Sequence, residues 1–135
     1  MADSSLTFSL AVYGAPFSAQ GNQTAYAFAQ ALIAEGHTLQ RVFFYQDGVH
    51  TASALAVPPQ DEANLTEAWQ NLAREHNIEL AVCIAASLRR GLLSQEEAER
   101  YSRPASNLAA DFEIVGLGQL LDAAVTSDRL ITFGA

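Results

Sequence analysis

Short strand-like runs alternating with helical segments predict an α/β fold, a three-layer α/β/α arrangement around a mostly parallel five-stranded sheet. Three observations carry that prediction. The apolar runs are nearly continuous, as in strands covered on both faces, rather than alternating. Each connection between them is long enough for a crossover. Half of the 135 residues are hydrophobic and only 16% are charged, which leaves ample apolar surface to bury.

The first strand is read over Leu6 to Tyr13, bounded by Gly14 and Pro16, with a loop from Gly14 to Gly21. Ala25, Phe28, Ala29, Leu32 and Ile33 then recur at helical spacing, and Gly36 suits the stop of that helix. Leu39 to Tyr45 is a β-favouring run closed by the turn pair Asp47 and Gly48. Residues 50–60, with Pro58 and Pro59, read as a surface loop. Leu65, Ala68, Trp69, Leu72, Ala73 and His76 mark a second helix, with Asp61 and Glu62 placed to suit its N-terminus. Ile78 to Ile84 is the third strand, and Cys83 lies near its carboxyl end. Ser94 followed by Glu97 forms a capping box, so a short helix is expected there, ending before Pro104. Phe112, Ile114 and Val115 predict a fourth strand, Leu117 to Val125 a helix, and Leu130 to Phe133 the last strand.

Length alone points to one domain. Composition excludes global disorder, and no apolar run approaches the roughly 18 residues of a membrane span. The first residues, Met1 to Ser5, lack the basic segment of a signal peptide, so the cytoplasm is the expected compartment. Seven arginines and no lysine against 15 acids give a net charge of −8, which argues against direct tight binding to nucleic acid. The arginines are unevenly spread, and Arg89, Arg90, Arg100 and Arg103 define one segment that is locally basic. A single cysteine excludes both an internal disulfide and a CxxC redox pair. The low charged fraction also predicts association through apolar surface.

Open parallel sheets place their sites outside the carboxyl ends of the strands, and Cys83 falls at such a position. One reading makes it a small buried hydrophobe. The other makes it a reactive thiol, served by guanidinium charge and free backbone N–H groups from Ser87, Leu88, Arg89, Arg90 and Gly91. An ordinary thiol is only about 3% ionised at pH 7, so a reactive one must be both accessible and helped to ionise. A lone thiol cannot cycle through a disulfide by itself. It can accept a sulfur atom from a persulfide and pass it on. A cysteine hydrolase would need an oriented histidine base, and the sequence places none of His37, His50 or His76 beside Cys83; His76 reads as packed on a helix face, His37 as surface. Gly14 and Gly21 match neither the dinucleotide fingerprint nor a P-loop. No Cys/His set has metal-ligand spacing, and no nucleophile-elbow pattern surrounds a serine, so neither a cofactor nor a metal is expected.

The segment after Cys83, Ile84 to Leu92 (IAASLRRGL), resembles the active-site segment of the DsrE-like sulfurtransferases. The likeness extends in order through Phe28 to Gly36 (FAQALIAEG), Val42 to Val49 (VFFYQDGV), Ser106 to Leu108, and Gly116 to Gly118. It implies one DsrE-like domain over residues 1–135, with Cys83 as the catalytic residue that carries persulfide sulfur. It further implies a cytoplasmic relay within a heterohexamer with TusB and TusC, sulfur arriving from TusA and leaving to TusE for 2-thiolation of the tRNA wobble uridine. Related DsrE subunits imply the alternative of sulfur trafficking in sulfur oxidation. A non-catalytic interaction subunit with a packed Cys83 is the remaining alternative.

Overall fold

The computed structural model describes residues 4–135, so the sequence reading at Met1 to Asp3 lies outside the described residues. Its strands are β1 (Thr7–Val12), β2 (Thr38–Phe44), β3 (Glu79–Cys83), β4 (Phe112–Val115) and β5 (Arg129–Phe133). They form one sheet in the order β4-β3-β2-β1-β5, and every neighbouring pair is parallel. The helices are α1 (Gly21–Ala34), α2 (Leu65–His76), α3 (Ile84–Arg89), α4 (Gln95–Arg100) and α5 (Gly118–Thr126). The chain steps outward from β1 to β4 and then returns to the far side of β1. Right-handed crossovers therefore put α5 on the face opposite the other helices.

Side-chain partners along β2 mark these two faces. Phe44 meets Trp69 of α2 edge-on, with ring centroids 5.6 Å apart. Arg41, of opposite parity, points toward α5: its guanidinium donates to the Gln119 carbonyl (2.8 Å) and to Asp122 (2.9 Å), and also to Glu79 (2.6 Å). Burial alone would lower the Arg41 pKa, but the hydrogen bonds and charges of Glu79 and Asp122 raise it above the ordinary arginine value. A raised cation pKa stabilises the fold at every pH below the ordinary value and loses that contribution only above it. The tie of α5 to the sheet is thus independent of pH across the physiological range.

Local signals explain most boundaries. Ser94 caps α4 by accepting from the Glu97 amide (3.2 Å), as the capping box predicts. Gly36, at φ +91°, ends α1 in a conformation that glycine adopts without strain. The cap of α2 differs from expectation. Asn64 accepts from the Glu67 amide (3.1 Å), and Asp61 and Glu62 lie in the turn before it. Two further departures sit together: residues 46–52, read as a turn running into a loop, form a 3-10 helix, and the third strand stops at Cys83 because α3 starts at Ile84. The uninterrupted apolar run from Leu80 to Ala86 hides that boundary, since a short helix inside such a run has no distinguishable period.

Candidate functional site

Cys83 is the last residue of β3 and the N-cap of α3, at the carboxyl end of the sheet where the strand reading placed it. Its thiol makes no capping hydrogen bond. The accessibility that the reactive reading requires is corrected here, because Cys83 is only 1% exposed and belongs to the hydrophobic core. The 3-10 segment 46–52 packs against both β3 and α3, the two elements that meet at Cys83. Gly48 permits this close seating, since a side chain there would collide with the Val12 carbonyl at the end of β1.

The basic segment is brought to the site but not onto the sulfur. Arg90 turns back, donating from Nε to Asp47 of the 3-10 segment (2.9 Å) and from Nη1 to the Ala86 carbonyl (3.1 Å). Arg89 is exposed, and its side chain makes no hydrogen bond or ion pair among the described residues. Ser87, one turn beyond Cys83, is fully buried, and its hydroxyl has no hydrogen-bond partner. A buried orphan hydroxyl is uncommon, and it leaves the neighbourhood of the thiol without a fixed polar network.

Behind the 3-10 segment the opposite holds. Asn22 of α1 donates to the Thr51 hydroxyl (2.7 Å) and to the Gly14 carbonyl (3.2 Å), and accepts from Trp69 Nε1 (3.0 Å). The Thr51 hydroxyl donates to the Gly48 carbonyl (2.7 Å), and the Thr66 hydroxyl of α2 donates to the Thr51 carbonyl (2.6 Å). This network fixes the rear of the covering segment to two helices. Sequence reading missed it, because Asn22 and Thr51 are ordinary polar residues until the fold buries them together.

The histidines do not assemble a base for Cys83. His37 Nδ1 accepts from the Leu6 amide (3.0 Å) and its ring packs edge-on against Phe8. His76, expected to be packed, is exposed at the end of α2 beside Glu75. His50 lies on the 3-10 segment, partly buried, with no side-chain hydrogen bond. Gly14 and Gly21 serve close packing: a side chain at Gly21 would strike the Gly134 carbonyl, so the chain's own last residues occupy that loop. Among the described residues no cluster of three His, Cys, Asp or Glu could hold a metal ion, and no helix is long and apolar enough to cross a membrane.

This geometry has counterparts in known proteins. The solved structure of the YchN protein from E. coli superposes with a TM-score of 0.76, covering 95% of this chain and 99% of that one; at 19% identity the likeness is one of fold. A protein of Vibrio vulnificus named sulfurtransferase TusD homolog is 51% identical over 130 residues, 96% of this chain and 99% of its own length. A putative sulfurtransferase DsrE of Allochromatium vinosum is 41% identical over 129 residues, 96% of this chain and 99% of its own. Residues 7–133 match the DsrE/DsrF-like family over nearly the whole chain, and the chain is a member of that family.

Proposed function

We propose that this chain is a sulfurtransferase subunit that carries persulfide sulfur on Cys83. The observation that carries the reading is the position of the sole thiol, at the carboxyl end of a central parallel strand in a chain 51% identical to a relative named sulfurtransferase TusD homolog. In the transfer step the Cys83 thiolate attacks the terminal sulfur of a donor persulfide. A new S–S bond forms, the donor's S–S bond breaks, and the donor leaves as its own thiolate; passing the sulfur on repeats the exchange in the other direction. No net oxidant or reductant is required.

Burial makes an opening step part of this mechanism, since a protein donor cannot reach a thiol that is 1% exposed. The joint between the 3-10 segment and α3 suits that opening. It is closed at its outer edge by the Asp47–Arg90 ion pair, whose side chains are 64% and 24% exposed, and such partly exposed pairs contribute little stability. The full route of the reading is a cytoplasmic relay: the chain assembles with TusB and TusC, takes sulfur from TusA and hands it to TusE for 2-thiolation of the tRNA wobble uridine. A net charge of −8, which argues against tight binding to tRNA, fits an intermediate carrier. Assembly is supported by α5, where Leu117, Leu121 and Val125 recur every fourth residue and are exposed.

A second reading, sulfur trafficking in sulfur oxidation, is favoured by the relative named DsrE. Identifying whether the co-purifying partners belong to tRNA thiolation or to sulfite reductase systems separates the two. The test of the shared chemistry is intact-mass analysis after incubation with a cysteine desulfurase, TusA and cysteine. The wild type is expected to gain one sulfur and Cys83→Ser none. A wild type that gains nothing, with a thiol that alkylates only after unfolding, would leave Cys83 as a packed residue of an interaction subunit.

A further inference from the structure

Ser87 is the one polar residue in the run from Leu80 to Leu88. It is fully buried, and among the described residues its hydroxyl alone is a buried side-chain polar atom with no hydrogen-bond partner. Alanine at this position would avoid the cost of desolvating a hydroxyl, so the serine calls for an acceptor that the resting chain does not supply. The usual local acceptor is not used. A helical serine commonly donates to the carbonyl four residues back, which for Ser87 is the carbonyl of Cys83, and that bond is not made. Cys83 caps the helix that carries Ser87, and residues four apart on a helix share a face with Cβ atoms about 5–6 Å apart. At rest the hydroxyl does not bond the thiol either, which as a neutral group is a weak acceptor. The nearest basic group on the same helix end is committed elsewhere, since Arg90 donates to Asp47 and to the Ala86 carbonyl.

We propose that the Ser87 hydroxyl is held for the sulfur that Cys83 carries, donating a hydrogen bond to the terminal sulfur of the persulfide. The inference rests on the sulfur-carrier reading and deepens it by assigning a second residue to the same site. Loading creates the missing acceptor in two ways. The new S–S bond lengthens the side chain by about 2.05 Å, toward a hydroxyl one helical turn away. The ionised persulfide also places negative charge on its terminal sulfur, and a hydrogen bond to a charged acceptor is about twice as strong as a neutral one. Burial strengthens it further, because little water competes. The proton stays on Oγ throughout, and the only bonds made and broken are the S–S bonds of the exchange. The desolvated hydroxyl therefore raises the free energy of the empty site relative to the loaded one, which favours holding sulfur.

The test is the position of the exchange in which the Cys83 thiol and glutathione persulfide give the Cys83 persulfide and glutathione, read by intact mass on the full chain, wild type and Ser87→Ala. Opening at the Asp47–Arg90 edge changes the rate of this exchange and not its equilibrium, so the readout isolates the loaded and empty states. The control is the S-methyl mixed disulfide of Cys83, formed by exchange with methyl glutathionyl disulfide, which has the second sulfur without the charge. Ser87→Ala is expected to lower the equilibrium constant for the persulfide about tenfold, a change of about 1.4 kcal/mol, and to leave the control within twofold of wild type. A persulfide constant within twofold of wild type would overturn the assignment of Ser87 while leaving the carrier reading intact. An equal fall in the control would also overturn it, showing that Ser87 sets the room for any adduct rather than bonding the charged sulfur. A wild type that takes sulfur from neither glutathione persulfide nor TusA persulfide would remove the carrier reading and this assignment with it.

Discussion

The two edges of the 3-10 segment over the carboxyl end of the sheet are held by different chemistry. At the rear, Asn22, Thr51, Thr66 and Trp69 are buried and every side-chain polar group finds a partner. At the front, a partly exposed ion pair joins Asp47 to Arg90 at the end of α3, the helix that Cys83 begins and whose Ser87 hydroxyl has no partner. Fully satisfied buried networks are costly to break, whereas exposed pairs yield easily. The contrast is between an edge fixed by a buried network and an edge held by a partly exposed pair, and the proposed sulfur transfer at Cys83 would need the second to open.

The rear edge offers the largest expected effect. Asn22→Ala strands the buried Trp69 N–H and removes a donor from Thr51, and is expected to cost about 2–4 kcal/mol in chemical denaturation. A loss below about 1 kcal/mol would mean that the network does not anchor the segment. At the front edge the effect should appear in kinetics instead. Asp47→Ala is expected to leave global stability within about 1 kcal/mol while raising the Cys83 alkylation rate about 2–5-fold, the factor that a pair worth about 0.5–1 kcal/mol controls when opening is local. Unchanged alkylation would show that the thiol is reached from another side. The smallest effect is expected at Ser87. Replacing an unpaired hydroxyl with hydrogen, in Ser87→Ala, removes a desolvated group, so stability should be unchanged or higher by up to about 1 kcal/mol. A clear destabilisation would reveal a hidden partner and weaken the contrast between the edges.

The basic segment shows the limit of charge reading. Arg89, Arg90, Arg100 and Arg103 look alike as a cluster, yet the fold pairs Arg90 with Asp47 and Arg100 with Glu97 and leaves the side chains of the other two without partners among the described residues. Asp47 carried only a turn signal, and nothing in its neighbourhood announces a contact 43 residues away. His76 misled in the other direction: its place in a helical spacing suggested packing, but it falls at the last turn, beyond the reach of the sheet.

Periodicity, capping and composition determined the succession of strands and helices, the parallel sheet and the position of Cys83 at a strand end, because these follow from short-range sterics and from the need to cover apolar runs. The segment after Cys83 carried the family. Tertiary structure alone decided that the thiol is covered, which arginines are paired, and that Asn22 and Thr51 meet under the covering segment. Those outcomes depend on contacts between residues far apart in the chain, and the energy of a polar group is set by the burial and partners that only the closed fold supplies.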